Sequence, residues 1–106
     1  MTTFDDREKA FENKYKRDQE LQFRVEVRRN KLLGHWAAEL MDLKGADAES
    51  YAKEVIAADF EEPGDADLVR KVLGDLQGKS VDMSDHRLRR KMEELLTVAK
   101  HQVMNE

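Results

Sequence analysis

Near the middle of the chain, Gly74-Asp75-Leu76-Gln77-Gly78-Lys79-Ser80 ends in the Gly-Lys-Ser with which a phosphate loop cradles its anion. That loop also needs glycine at position 73, where Leu73 stands, and Gly74 leaves it one residue short. No strand precedes the segment, and Val81-Asp82-Met83 reads as a connector, so a C-capping glycine ending a helix before a polar turn fits better. Asp59, Glu61, Glu62, Asp65 and Asp67 place five carboxylates within nine residues and could collect a divalent cation. The spacing of a calcium loop is missing, and a solvated acidic turn that meets basic partners is the preferred reading. His35, His86 and His101 lie in no zinc-type spacing; His35 and Glu39, one helical turn apart, suit a side-chain contact as well as a ligand pair. With no nucleophile elbow and no dinucleotide fingerprint, the chain offers no active-site constellation and reads as a non-enzyme.

Two basic clusters remain. Arg24, Arg28, Arg29 and Lys31 fall on the first long helix, and His86, Arg87, Arg89, Arg90 and Lys91 open the last. Cations at a helix start oppose its dipole, which invites an anionic ligand such as a nucleotide phosphate, or an acidic protein surface. The simpler and preferred alternative is that these arginines pair with carboxylates elsewhere in the molecule.

These residues must be positioned by helices. Of 106 residues, 40% are charged and 7% aromatic, with one proline and no cysteine, which favours helices and removes disulfides and thiolate metal sites. The net charge of −4 argues against general nucleic-acid binding, and no apolar run is long enough to span a bilayer. The absence of a secretory-type apolar start points to a soluble protein of a reducing compartment. Leu21, Val25, Leu32, Trp36, Leu40 and Leu43 recur at helical spacing, widened by Leu33, Ala37 and Met41. Gly45 is expected to close this helix and Asp47 to cap the next, which carries Tyr51, Val55, Ile56 and Phe60. Glu61-Glu62-Pro63-Gly64-Asp65 is the clearest turn. A third helix, begun by Gly64 or Asp65, carries Leu68, Val69, Val72, Leu73 and Leu76 and ends at Gly78. Ser84 caps a fourth, bearing Leu88, Met92, Leu95, Leu96, Ala99 and Val103. The expected fold is an all-α four-helix bundle.

The first twenty residues stand apart. Read as a helix, they align Phe4, Phe11 and Tyr15 within about 20° on one narrow stripe among charges of both signs. Such a stripe either docks into another protein or packs on its own domain. Lys16–Glu20 holds no apolar side chain, so the helix is expected to weaken or hinge there, separating about 3–18 from 20–43.

Four blocks then carry a specific resemblance: MTTFDDREKAFENKY at the start, RRNKLLGHWAAELM at 28–41, YAKEVIAADFEEPGD at 51–65 and DHRLRRKMEELL at 85–96. Together they closely resemble the zeta subunit family, small inhibitors of the alphaproteobacterial F-type ATP synthase. The resemblance implies a four-helix bundle whose N-terminal segment enters an interface between alpha and beta catalytic subunits, near the gamma subunit of the rotor stalk. There it blocks the rotation that accompanies ATP hydrolysis. The inhibitory region maps onto residues 1–19, with Phe4, Asp5, Arg7, Glu8, Phe11, Glu12, Lys14 and Tyr15 as candidate contacts, and residues 20–106 form the globular domain. The family implies a cytoplasmic protein held at the inner membrane through the ATP synthase, with no required cofactor and no membrane insertion. It also implies weak ATP or ADP binding, for which Arg87, Arg89 and Arg90 are the candidates the sequence offers. A small adenine-nucleotide sensor is the alternative function.

Overall fold

The computed structural model describes residues 18–60 and 64–106. These form four helices: α1 (Gln19–Leu40), α2 (Ala46–Ala58), α3 (Ala66–Gly78) and α4 (Asp85–Met104), the expected all-α bundle. Asp18 is extended, and its carboxylate accepts a hydrogen bond from the Leu21 amide at 3.1 Å. The described helix therefore starts inside the apolar-free Lys16–Glu20 stretch, where a side chain can satisfy an otherwise orphaned N–H. Ser84 caps α4 in the same way, accepting from the Arg87 amide at 3.2 Å.

Other boundaries depart from the sequence reading. Gly45 does not close α1: it is the N-cap residue of α2, with φ of +57°, and Asp47 lies in the first turn rather than at the cap. Helix α1 stops at Leu40, and the left-handed residue after it is Asp42, at φ +61°. The Leu43 amide donates to the Ala38 carbonyl at 2.8 Å and the Asp42 amide to Glu39 at 3.1 Å. This is the Schellman pattern. It recurs after α3, where Gly78 is the last helical residue and Ser80 takes φ +62°. There Val81 donates to Leu76 at 2.9 Å and Ser80 to Gln77 at 3.0 Å. In both cases the following apolar residue, Leu43 or Val81, packs on the core. That burial offsets the roughly 1–2 kcal/mol that a left-handed non-glycine residue costs.

Helix α1 runs antiparallel to both α2 and α4. Along one side Asn30 meets Asp59 and Gly34 meets Ala52; along the other, Leu21 and Val25 pack with Ala99 and Val103. Because α1 is flanked on two sides, Leu33, Ala37 and Ala38 hold the centre of its buried face. Leu32 and Trp36 lie at its edges and Leu40 is 41% exposed, which corrects the expected stripe. Phe60 lies beyond the end of α2 and is largely exposed. Between α2 and α3, the Tyr51 hydroxyl donates to Asp75 at 2.9 Å and Lys71 bridges Asp75 and Glu54. Burial and the bond to Asp75 raise the Tyr51 phenol well above its ordinary value, so it stays a neutral donor.

Candidate functional site

The candidate contact residues Phe4, Asp5, Arg7, Glu8, Phe11, Glu12, Lys14 and Tyr15 lie outside the described residues, as do Glu61, Glu62 and Pro63. The described surface next to them in sequence is the first half of α1. There the three arginines of the first basic cluster are spent on pairing within the bundle. Arg24 reaches Glu106 at 2.7 Å, and Arg28 contacts both Glu106 and Gln102. Arg28, against slight desolvation and with help from Arg24, holds the Glu106 carboxyl below the usual range. This clamp fastens the end of α4 to the start of α1.

Arg29 is buried, and it ties the α2–α3 turn to α1. Its guanidinium donates to Asp65 at 2.9 and 3.3 Å and to the Asn30 side-chain oxygen at 3.0 Å, with Asp59 at 3.8 Å. Asn30, fully buried, donates to Asp59 at 2.8 Å. No buried side-chain polar atom among the described residues lacks a partner. The acidic stretch is thus not simply a solvated turn. Asp59 is buried, Asp65 is half-buried on Arg29, and Asp67 pairs with Arg70 at 2.8 Å. The preferred expectation that the arginines of the first cluster pair with carboxylates elsewhere in the molecule holds, but nothing local marks Arg29 as the arginine that turns inward or Asp65 as its partner.

Glu26 sits beside this cluster. Partial desolvation and then Asp59, with Asp65 adding and Arg29 opposing, push its carboxyl above the ordinary 4.5. A carboxyl raised on folding binds its proton more tightly in the native state, so it detracts from stability above its folded pKa. That penalty fades as pH falls through the raised value towards 4.5. Glu26→Gln is therefore expected to raise the thermal midpoint modestly at pH 7. Below about pH 4 the variant and parent should coincide, since both carry a neutral side chain. Thermal melts at the two pH values test this.

The second basic cluster divides. Arg89 is paired with Asp85 at 2.7 Å and Arg87 donates to the Asp82 carbonyl at 3.2 Å. Arg87, Arg90 and Lys91 line an open groove of about 700 Å³ with Trp36, Met83, Glu93, Glu94 and Thr97. Arg89 is not among the lining residues, so the three candidate arginines do not converge. Lys91 lies over the Trp36 ring, 5.7 Å from its centroid, and also reaches Glu94. Spacings of three and four along α4 bring Arg87, Arg90 and Lys91 to one face, whereas the contribution of Trp36 comes from α1. Chemically the groove offers three cations and two carboxylates beside one aromatic surface, a small positive excess suited to weak binding of a planar anion. Among the described residues no group of three or more acidic or histidine side chains could hold a metal ion, and no helix is long and apolar enough to cross a membrane.

Comparison with known proteins adds two findings. The family described as ATPase inhibitor subunit zeta matches residues 1–102 of this chain. A protein solved by solution NMR is 50% identical in sequence and superimposes with a TM-score of 0.72, covering 80% of this chain and 96% of its own. Among curated proteins, none gives a significant match.

Proposed function

From the premise that this chain belongs to the ATPase inhibitor subunit zeta family, we propose that it inhibits the F-type ATP synthase by inserting residues 1–19 at an alpha/beta catalytic interface beside the gamma subunit. Residues 20–106 serve as the supporting globular domain, in the cytoplasm and peripheral to the membrane. The supporting observation is that the family match begins at residue 1, so it takes in the aromatic stripe of Phe4, Phe11 and Tyr15. The described core forms from Leu21 onward and is closed by α4.

Energetics shape the reading. Ordering a segment from a random state costs about 1–2 kcal/mol per residue. Burying three aromatic side chains returns roughly 1.5–3 kcal/mol each, which falls short over fifteen or more residues. Charge-assisted contacts through Arg7, Glu8, Glu12 and Lys14, or partial helix before binding, must supply the difference. The test is an ATPase assay of the isolated catalytic head with the full chain and with a chain lacking residues 1–15. The shorter chain retains Asp18, so its cap on α1 is preserved. Inhibition by the full chain alone is expected; equal inhibition by both chains would remove the N-terminal mechanism.

The groove beside Trp36 favours a second, compatible reading, an adenine-nucleotide sensor in which Arg87 and Arg90 hold phosphate. Trp36 is the chain's only tryptophan and so reports on that groove alone. Titration with ATP is expected to change its fluorescence, and Arg90→Ala to weaken the response. A flat titration of the parent protein removes this reading.

A further inference from the structure

Phe23 and Phe60 form a fixed aromatic pair near the start of α1. Their rings stack with centroids 5.5 Å apart and planes at 19°, yet they remain 53% and 54% exposed. Single exposed apolar residues need no explanation. Two stacked rings from different elements are another matter, because they are already ordered and lose little side-chain entropy when covered. Their surroundings carry excess negative charge. Glu26 lies one turn from Phe23, Asp59 precedes Phe60, and Asp65 completes the cluster. Arg29 and Asp59 are both buried and offset one another, so the carboxylates that reach the surface beside the rings are Glu26 and half-buried Asp65.

An apolar centre inside an acidic rim suits a basic segment that carries an apolar side chain. We propose that the Phe23–Phe60 face, rimmed by Glu26 and Asp65, is a second docking surface that takes a basic helical segment of the same ATPase engaged by residues 1–19. This rests on the docking reading above. Phe23 stands five residues beyond Asp18, about 8 Å of helix rise, so a partner gripping the preceding segment comes within reach of the pair. Two contacts joined by so short a span raise one another's effective concentration. The second contact thereby adds to the charge-assisted contacts that offset the cost of ordering the first.

The test measures binding of the full chain to the purified catalytic head by calorimetry, with ATPase inhibition in parallel. Phe23→Ser/Phe60→Ser is expected to weaken affinity at least about tenfold while full inhibition is retained at saturation. Glu26→Lys, an exposed change that leaves the helices intact, is expected to weaken binding and flatten its salt dependence. It carries the test should the double variant fail to fold. If both variants bind like the parent while Phe4→Ala/Phe11→Ala loses affinity, the second surface is wrong and the docking reading stands. If the unaltered chain does not bind, both fall. A parent dimer that the double variant converts to monomer would assign the face to a second copy. Tighter inhibition by the double variant would assign it to the chain's own residues 1–17. Either result overturns the proposal.

Discussion

Asp59→Ala is expected to destabilise the bundle by about 3 kcal/mol or more. The Asp59 side chain is 8% exposed and accepts from Asn30 at 2.8 Å, with Arg29 at 3.8 Å. Its removal orphans a buried amide, which costs about 1–3 kcal/mol. It also leaves Arg29, 7% exposed at the side chain, with Asp65 as its remaining carboxylate. A buried charge stripped of a partner accounts for the rest. Against a net stability of about 5–15 kcal/mol, this is a large fraction. At about 4–8 °C per kcal/mol for a domain of this size, the thermal midpoint should fall by 10 °C or more, roughly. Asp59→Asn keeps an acceptor for Asn30 and removes only the charge, so it should fall between parent and Asp59→Ala. Thermal and urea unfolding followed by circular dichroism read both. Equal stability of all three proteins would show that the network does not hold α1 to the α2–α3 turn.

Gly34→Ala should also destabilise, although alanine is the better helix former by about 1 kcal/mol. A Cβ at position 34 would lie 2.6 Å from the Ala52 Cα and 3.1 Å from its Cβ. The obstacle is backbone of α2, which cannot rotate aside as a flexible side chain would. Helices α1 and α2 must separate, disturbing Leu33, Ala37 and Val55 beside the contact. Overpacking of this kind costs about 1–3 kcal/mol, which outweighs the propensity gain. Gly74→Ala is the matched control. It too lies inside a helix, but a Cβ there meets nothing within 4 Å. That substitution should stabilise by up to about 1 kcal/mol. Opposite signs from one chemical change, read by urea unfolding, would isolate the α1–α2 approach as the cause; a gain in both would show that the helices yield freely.

The helices themselves were legible in the chain. Ser84 ahead of an amphipathic run predicts the start of α4, and the structure uses it as the cap. The absence of apolar residues over Lys16–Glu20 predicts a weak point, and Asp18 caps α1 inside it. The four motif blocks carried the family, which the match over residues 1–102 bears out. Helix ends were less legible. Glycine is the usual sign of a left-handed stop, but Asp42 and Ser80 take that conformation because Leu43 and Val81 are held by a core formed elsewhere in the chain. Arginine pairing was legible only as a preference. Which carboxylate each arginine takes depends on residues 36 positions away for Arg29 and Asp65, and 82 for Arg24 and Glu106.

By itself the sequence determined the helices, because caps, breakers and a 3.6-residue period act between neighbours a few positions apart. It also determined that Phe4, Phe11 and Tyr15 share one stripe if their segment is helical. Only the tertiary structure decided that Arg29 turns inward, that Trp36 joins Arg87 and Arg90 at one groove, and that Phe23 and Phe60 stack at the surface. Each of these unites side chains from distant parts of the chain. Periodicity gives the face on which a residue lies, but the packing of all four helices sets which face it meets.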